Sequence, residues 1–147
     1  MSWERVEMPK YKFLKHTADA KFQAFGKTLE EAFSSAALAT VSLMWDWKII
    51  ENKLKLEFEV RGKDLEQLLV NFLEEILYLW DSQMFLVGKV EKIEIMSRDE
   101  RYFLRARFSG DKYSDKYKIY GNVKAITYNE MEIKKNDHFM IQVVVDV

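Results

Sequence analysis

Two carboxylates at opposite ends of the sequence are the first candidates for chemistry. Asp19 closes the segment His16-Thr17-Ala18-Asp19, and Asp146 follows an apolar run from Phe139 to Val145. The sequence then stops at Val147, which would set a main-chain carboxylate beside Asp146. If the fold joins the two ends, three hard oxygen donors converge. Such donors suit Ca²⁺, Mg²⁺ or Mn²⁺ rather than zinc or copper. Spacing alone supports the plainer reading, in which Asp19 caps a turn and Asp146 is a solvated end charge. His16 can serve as base, ligand or partner of a backbone carbonyl. The other histidine, His138, falls in a turn, so no histidine pair builds a softer site and a structural role for His16 is preferred. Lys124, in Val123-Lys124-Ala125-Ile126-Thr127-Tyr128, is either held near the carboxylates or is the outward residue of an edge strand.

Other chemistries lack their residues. The chain has no cysteine, which removes disulfides, thiol catalysis and the common structural zinc sites. No G-x-S-x-G, Walker loop, G-x-G-x-x-G or H-E-x-x-H stands in the sequence. Without a nucleophile, base and oxyanion set, a self-sufficient enzyme is disfavoured. With 23 basic and 24 acidic residues, no overall surplus exists to hold nucleic acid nonspecifically, so RNA contact is expected to be indirect, through a partner. No signal-peptide pattern and no membrane-length apolar run is visible, and a cytoplasmic protein is expected.

The elements that must position these residues read as one domain over 1–147, with 1–10 a loose lead-in. At 48% hydrophobic, 147 residues can bury a real core. Tyr11–Leu14 is a short strand, and Ala20, Phe22 and Ala24 alternate with Lys21, Gln23 and Phe25 as a second. Thr28 and Glu31 make a capping box, after which Leu29, Ala32, Phe33, Ala36, Ala37, Thr40, Val41 and Met44 form one apolar stripe, ending near Trp45-Asp46. Leu54 to Val60 alternates as a half-solvated strand. Asp64 and Gln67 cap a second helix with a buried stripe from Leu65 to Trp80 and an acidic face of Glu66, Glu74, Glu75 and Asp81. Trp45, Trp47 and Trp80, at helix ends, read as core lids.

Val90–Met96 and Tyr102–Ser109 read as a hairpin around a turn over residues 97–101. A tyrosine-rich loop over 110–121 is long enough to suggest a function. Val123–Thr127 and Met131–Lys134 are further strands. The last strand, 139–145, is apolar on both faces and therefore central, with a helix on one side. The class is α+β, a mixed, largely antiparallel sheet with two amphipathic helices packed on it.

Several of these segments together resemble the archease family. They are Phe13-Leu14-Lys15-His16-Thr17-Ala18-Asp19, Lys27-Thr28-Leu29-Glu30-Glu31-Ala32-Phe33, Ser42-Leu43-Met44-Trp45-Asp46, Asn71-Phe72-Leu73-Glu74-Glu75, Val123 to Tyr128, and the terminal Val144-Val145-Asp146-Val147. Asn129, and Ser114 to Tyr117, depart from the family's usual residues. The resemblance implies an α+β domain and a non-catalytic, metal-binding activator of the 3′-5′ tRNA ligase. In that role it would promote guanylylation of the ligase histidine and multiple turnover in tRNA splicing. It also implies a metal site at Asp19, Asp146 and Val147, with Ca²⁺ first and Mg²⁺ or Mn²⁺ as alternatives, and His16 and Lys124 as partner or supporting residues. The rival readings are a chaperone-like modulator of a tRNA methyltransferase and a metal-dependent RNA phosphoesterase using the same carboxylates.

Overall fold

The computed structural model describes residues 10–15 and 19–147, so His16 and the two residues after it lie outside the described set. The elements are β1 (Tyr11–Leu14), β2 (Ala20–Gly26), α1 (Leu29–Ser42), a 3₁₀ turn (Trp47–Ile49), β3 (Leu54–Gly62), α2 (Leu65–Gln83), β4 (Phe85–Arg98), β5 (Arg101–Lys112), β6 (Ala125–Lys135) and β7 (Phe139–Asp146). The α+β class with two packed helices stands. The strands divide into two sheets, β1-β2-β7-β6 and β3-β5-β4, and all pairings among the described residues are antiparallel.

Both capping boxes form. Thr28 accepts the Glu31 N–H at 3.1 Å, and the Glu31 carboxylate reaches back to the Lys27 N–H at 2.8 Å. Asp64 accepts the Gln67 N–H at 2.7 Å, and Gln67 returns to the Lys63 N–H at 2.8 Å. The single apolar stripe expected on α1 is too narrow a description. Ser35, Leu38 and Ala39, off the stripe, are buried too, because α1 packs against β2 and β7 of one sheet and β4 of the other. A helix packed against two sheets needs small residues where strands approach, and its alanines supply them. α1 ends at Ser42, before the expected Trp45, because the Met44 and Trp45 N–H groups both turn back to the Val41 carbonyl. Trp45 is fully buried, donates from Nε1 to the Val87 carbonyl at 2.9 Å and lies 5.5 Å from the Trp80 ring, a lid as expected.

β7 is central, between β2 and β6. Its Ile141, Val143 and Val145 share the inner face with Phe22 and Ala24, while Gln142 and Val144 turn outward and are nonetheless buried. β6 explains this. It is one strand rather than the two expected, and between Thr127 and Glu132 it bulges, five steps of β6 spanning two of β7. Glu130 takes φ 54° there, and its carbonyl accepts from Gln142 Nε2 at 2.8 Å. The Glu130 carboxylate meets Lys21 Nζ at 2.9 Å. Lys21 lies on β2, across β7 and paired with Val144, so this ion pair closes over Val144.

The hairpin also differs in detail. β4 and β5 continue to a two-residue turn, Asp99-Glu100, with φ 53° and 62°. Positive φ at both positions matches the twist of the flanking strands. β4 starts at Phe85 and β5 runs to Lys112, which moves the long loop to 113–124. No helix among the described residues is long and apolar enough to cross a membrane.

Candidate functional site

The register of β2 on β7 brings the two ends of the chain together. Ala20 pairs with Val145, so Asp19, one residue before, and Asp146, one residue after, occupy adjacent positions at the same end of the sheet. On the other flank Asp146 pairs with Ala125, and the Lys124 N–H donates to the Asp146 carbonyl at 2.7 Å. Asp19, Lys124, Asp146 and Val147 therefore share one sheet end. Asp19 and Asp146 are half-buried, while Lys124 and Val147 are exposed. The cause is local: β7 is apolar on both faces, so it takes the central place and acquires a strand on each side.

The donor chemistry of this end fits a hard cation. The Asp19 and Asp146 side chains are the carboxylates placed at this end, and carboxylate oxygens are the donors that Ca²⁺ and Mg²⁺ take. Among the described residues no group of three or more His, Cys, Asp or Glu side chains assembles around a common point. The described side chains supply two aspartates at this end. Sequence reasoning did not find Lys21 and Glu130. Their pairing depends on the β6 bulge, for which the sequence carries no local signal.

The long loop, expected to be functional, is held down by its own tyrosines. Tyr117 is buried. Its hydroxyl donates to Asp111 Oδ2 at 2.6 Å and accepts the Glu51 N–H at 3.1 Å. Lys116 pairs with the Glu51 carboxylate. Tyr120 donates to the Ser42 carbonyl at 2.7 Å. The Tyr117 hydroxyl is the main influence holding the Asp111 carboxyl below its ordinary range, and Lys116 does the same for Glu51. A carboxyl with a lowered folded-state pKa contributes stability above its unfolded value, near 4, and loses it as pH falls through the folded value. Tyr117→Phe removes the bond to Asp111 and is expected to cost about 1–3 kcal/mol at pH 6. The difference from wild type should shrink as pH falls through the lowered folded-state value of Asp111, leaving the part due to the lost Glu51 N–H bond. Thermal melts across that range check it. A constant gap would place the role of Tyr117 in packing.

A family model described as the archease protein family (MTH1598/TM1083) matches residues 11–147. Protein archease of Pyrococcus furiosus is 39% identical over 143 residues, covering 95% of this chain and 100% of the relative. The solution structure of Methanobacterium thermoautotrophicum protein 1598 superposes with a TM-score of 0.82 at 30% identity, over 95% of this chain and 100% of that one. The crystal structure of an archease, possible chaperone, from Thermotoga maritima has a TM-score of 0.58 at 18% identity, over 97% of this chain and 98% of that one, and bears on the fold alone. The family match runs from β1 through the β2–β7 junction to the final residue, and with relatives of this identity and coverage the chain belongs to the archease family.

Proposed function

We propose that this archease is a non-catalytic activator of a 3′-5′ tRNA-splicing ligase, working through a divalent cation held at the β2–β7 end. The observation that carries the reading is the Ala20–Val145 pairing, which makes Asp19 and Asp146 neighbours. Asp19, Asp146 and the Val147 carboxylate would hold the cation, Ca²⁺ first and Mg²⁺ or Mn²⁺ as alternatives. When bound, the cation supplies positive charge and open coordination positions. Lys124, anchored through its N–H to the Asp146 carbonyl, adds a second positive charge at the same edge. His16 precedes this end in sequence and is proposed as a supporting partner. The exposed edge presents these groups to the ligase, favouring guanylylation of the ligase histidine and repeated turnover.

The experiment is guanylylation and multiple-turnover ligation by the cognate ligase, with and without this protein, in calcium and in chelator. Stimulation in calcium that is lost in chelator supports the reading. Stimulation indifferent to metal keeps the activator and removes the cation. The Thermotoga protein is described as a possible chaperone; the second reading of this chain is a chaperone-like partner of an RNA-modifying enzyme such as a tRNA methyltransferase. It predicts metal-independent complex formation and improved partner solubility.

A further inference from the structure

The β3-β5-β4 sheet has one face towards the helices and one in water. On β5, Leu104, Ala106 and Phe108 are buried, while Arg101, Arg105 and Arg107 are exposed and Phe103 is half-exposed among them. The registers set the neighbours. Glu59 and Glu94 flank Arg105, Glu57 and Lys92 flank Arg107, and Arg61 and Met96 flank Phe103. In the first two rows the arginines are neutralised, Arg105 by Glu59 at 3.4 Å and Arg107 by Glu57 at 2.6 Å.

The hairpin end is different. Arg61, Lys63 and Arg101 line one pocket of about 130 Å³ with Phe103, Gly62 and Gln67. Among the described residues none of these three cations has an ion-pair partner. Arg98, paired with Arg101, sets a fourth positive charge against the turn acids Asp99 and Glu100. The Arg61 guanidinium lies 5.5 Å over the Phe103 ring, and Met96 beside it is exposed. Lys63 and Gln67 lie at the N-terminus of α2, where the Asp64 cap and Glu66 offset the positive end of the helix dipole. Converging cations beside a stacked arginine–phenylalanine plane are the combination that holds a phosphate and an unpaired base.

We propose that this pocket binds single-stranded RNA, with a backbone phosphate held by Arg61, Lys63 and Arg101 and an adjacent base stacked on the Arg61–Phe103 pair. The pocket has room for a phosphate, so the base lies outside it on the open sheet face. The net charge of −1 argues against general nucleic-acid affinity, but the surplus here is local. The inference is independent of the cation and ligase readings and is tested without either.

The test is fluorescence anisotropy of a labelled single-stranded RNA ten-mer at low salt. It compares wild type, Arg61→Gln/Arg101→Gln, and Arg105→Gln/Arg107→Gln, two variants with the same change in net charge. The pocket variant is expected to bind at least about tenfold more weakly, since it loses charged contacts to phosphate. The control is expected to move by less than about threefold, its arginines being already paired. The wild-type salt slope should be roughly −0.7, the value for one phosphate contact on a single strand. Amide shifts on wild type, confined to residues 61–63 and 101–103, give the same answer without a variant. No binding by wild type, or equal weakening in both variants, overturns the site. Saturable shifts with inorganic phosphate but none with the ten-mer would leave a free-anion site and overturn the RNA assignment.

Discussion

Asp146→Asn is expected to lose the calcium-dependent rise in thermal midpoint and to reduce ligase stimulation at least about tenfold, while the metal-free protein stays folded. On the proposed reading, a site of two side-chain carboxylates and a terminus would be weak, with a dissociation constant on the order of 0.1–1 mM. At calcium about a hundredfold above that constant, wild type gains about 2.7 kcal/mol, or roughly 8 °C. The substitution removes one of two adjacent carboxylates and leaves the β7 core residues in place. Relief of like-charge proximity should hold the metal-free midpoint at or above wild type. A calorimetric melt with and without calcium reads both effects. A lower metal-free midpoint would make Asp146 a structural residue, and an unchanged calcium response would place the cation elsewhere. Extending the chain past Val147 turns the terminal carboxylate into a peptide carbonyl and tests the third donor by the same melt.

The pairing behind this prediction was legible only in part. Alternation exposed β2 and β3, and the caps at Thr28 and Asp64 fixed both helix starts, because these signals act within a few residues. The two-sided apolar run of β7 correctly implied a central strand. What β7 pairs with is a long-range outcome, so the juxtaposition of Asp19 and Asp146 rested on resemblance until the register supplied it. The division into two sheets was hidden for the same reason. α1 read as one-sided because Ser35, Leu38 and Ala39 fall off the stripe, and the small size of its alanines is what admits a sheet on each side. Nothing in the sequence alone distinguishes the arginines of β5, and only cross-strand register separates the paired Arg105 and Arg107 from the pocket cations.

The largest expected loss of stability comes from Gly110→Ala. Gly110 lies in β5 between Leu54 of β3 and Val87 of β4, next to the place where β4 slips register around Gly88. A β-carbon at Gly110 would stand 1.9 Å from the Leu86 carbonyl oxygen and 3.1 Å from Cζ of Phe85. None of the chain's glycines has positive φ, so the requirement is space rather than backbone conformation. The obstructing atom is backbone, and moving it means breaking the β4–β5 ladder beside Val87, whose carbonyl also receives the Trp45 bond. A cost of about 3 kcal/mol or more is expected, roughly 10 °C in midpoint. Near-UV circular dichroism should lose the Trp45 signal as the lid loosens. Gly88→Ala is the measure of comparison. Its nearest obstruction, at 2.7 Å, is Asn52 Oδ1, the end of an exposed side chain that can turn away. That variant should lose about 1 kcal/mol. Equal losses in the two would show that the bulge, rather than the close approach at Gly110, sets the packing of β4 on β5.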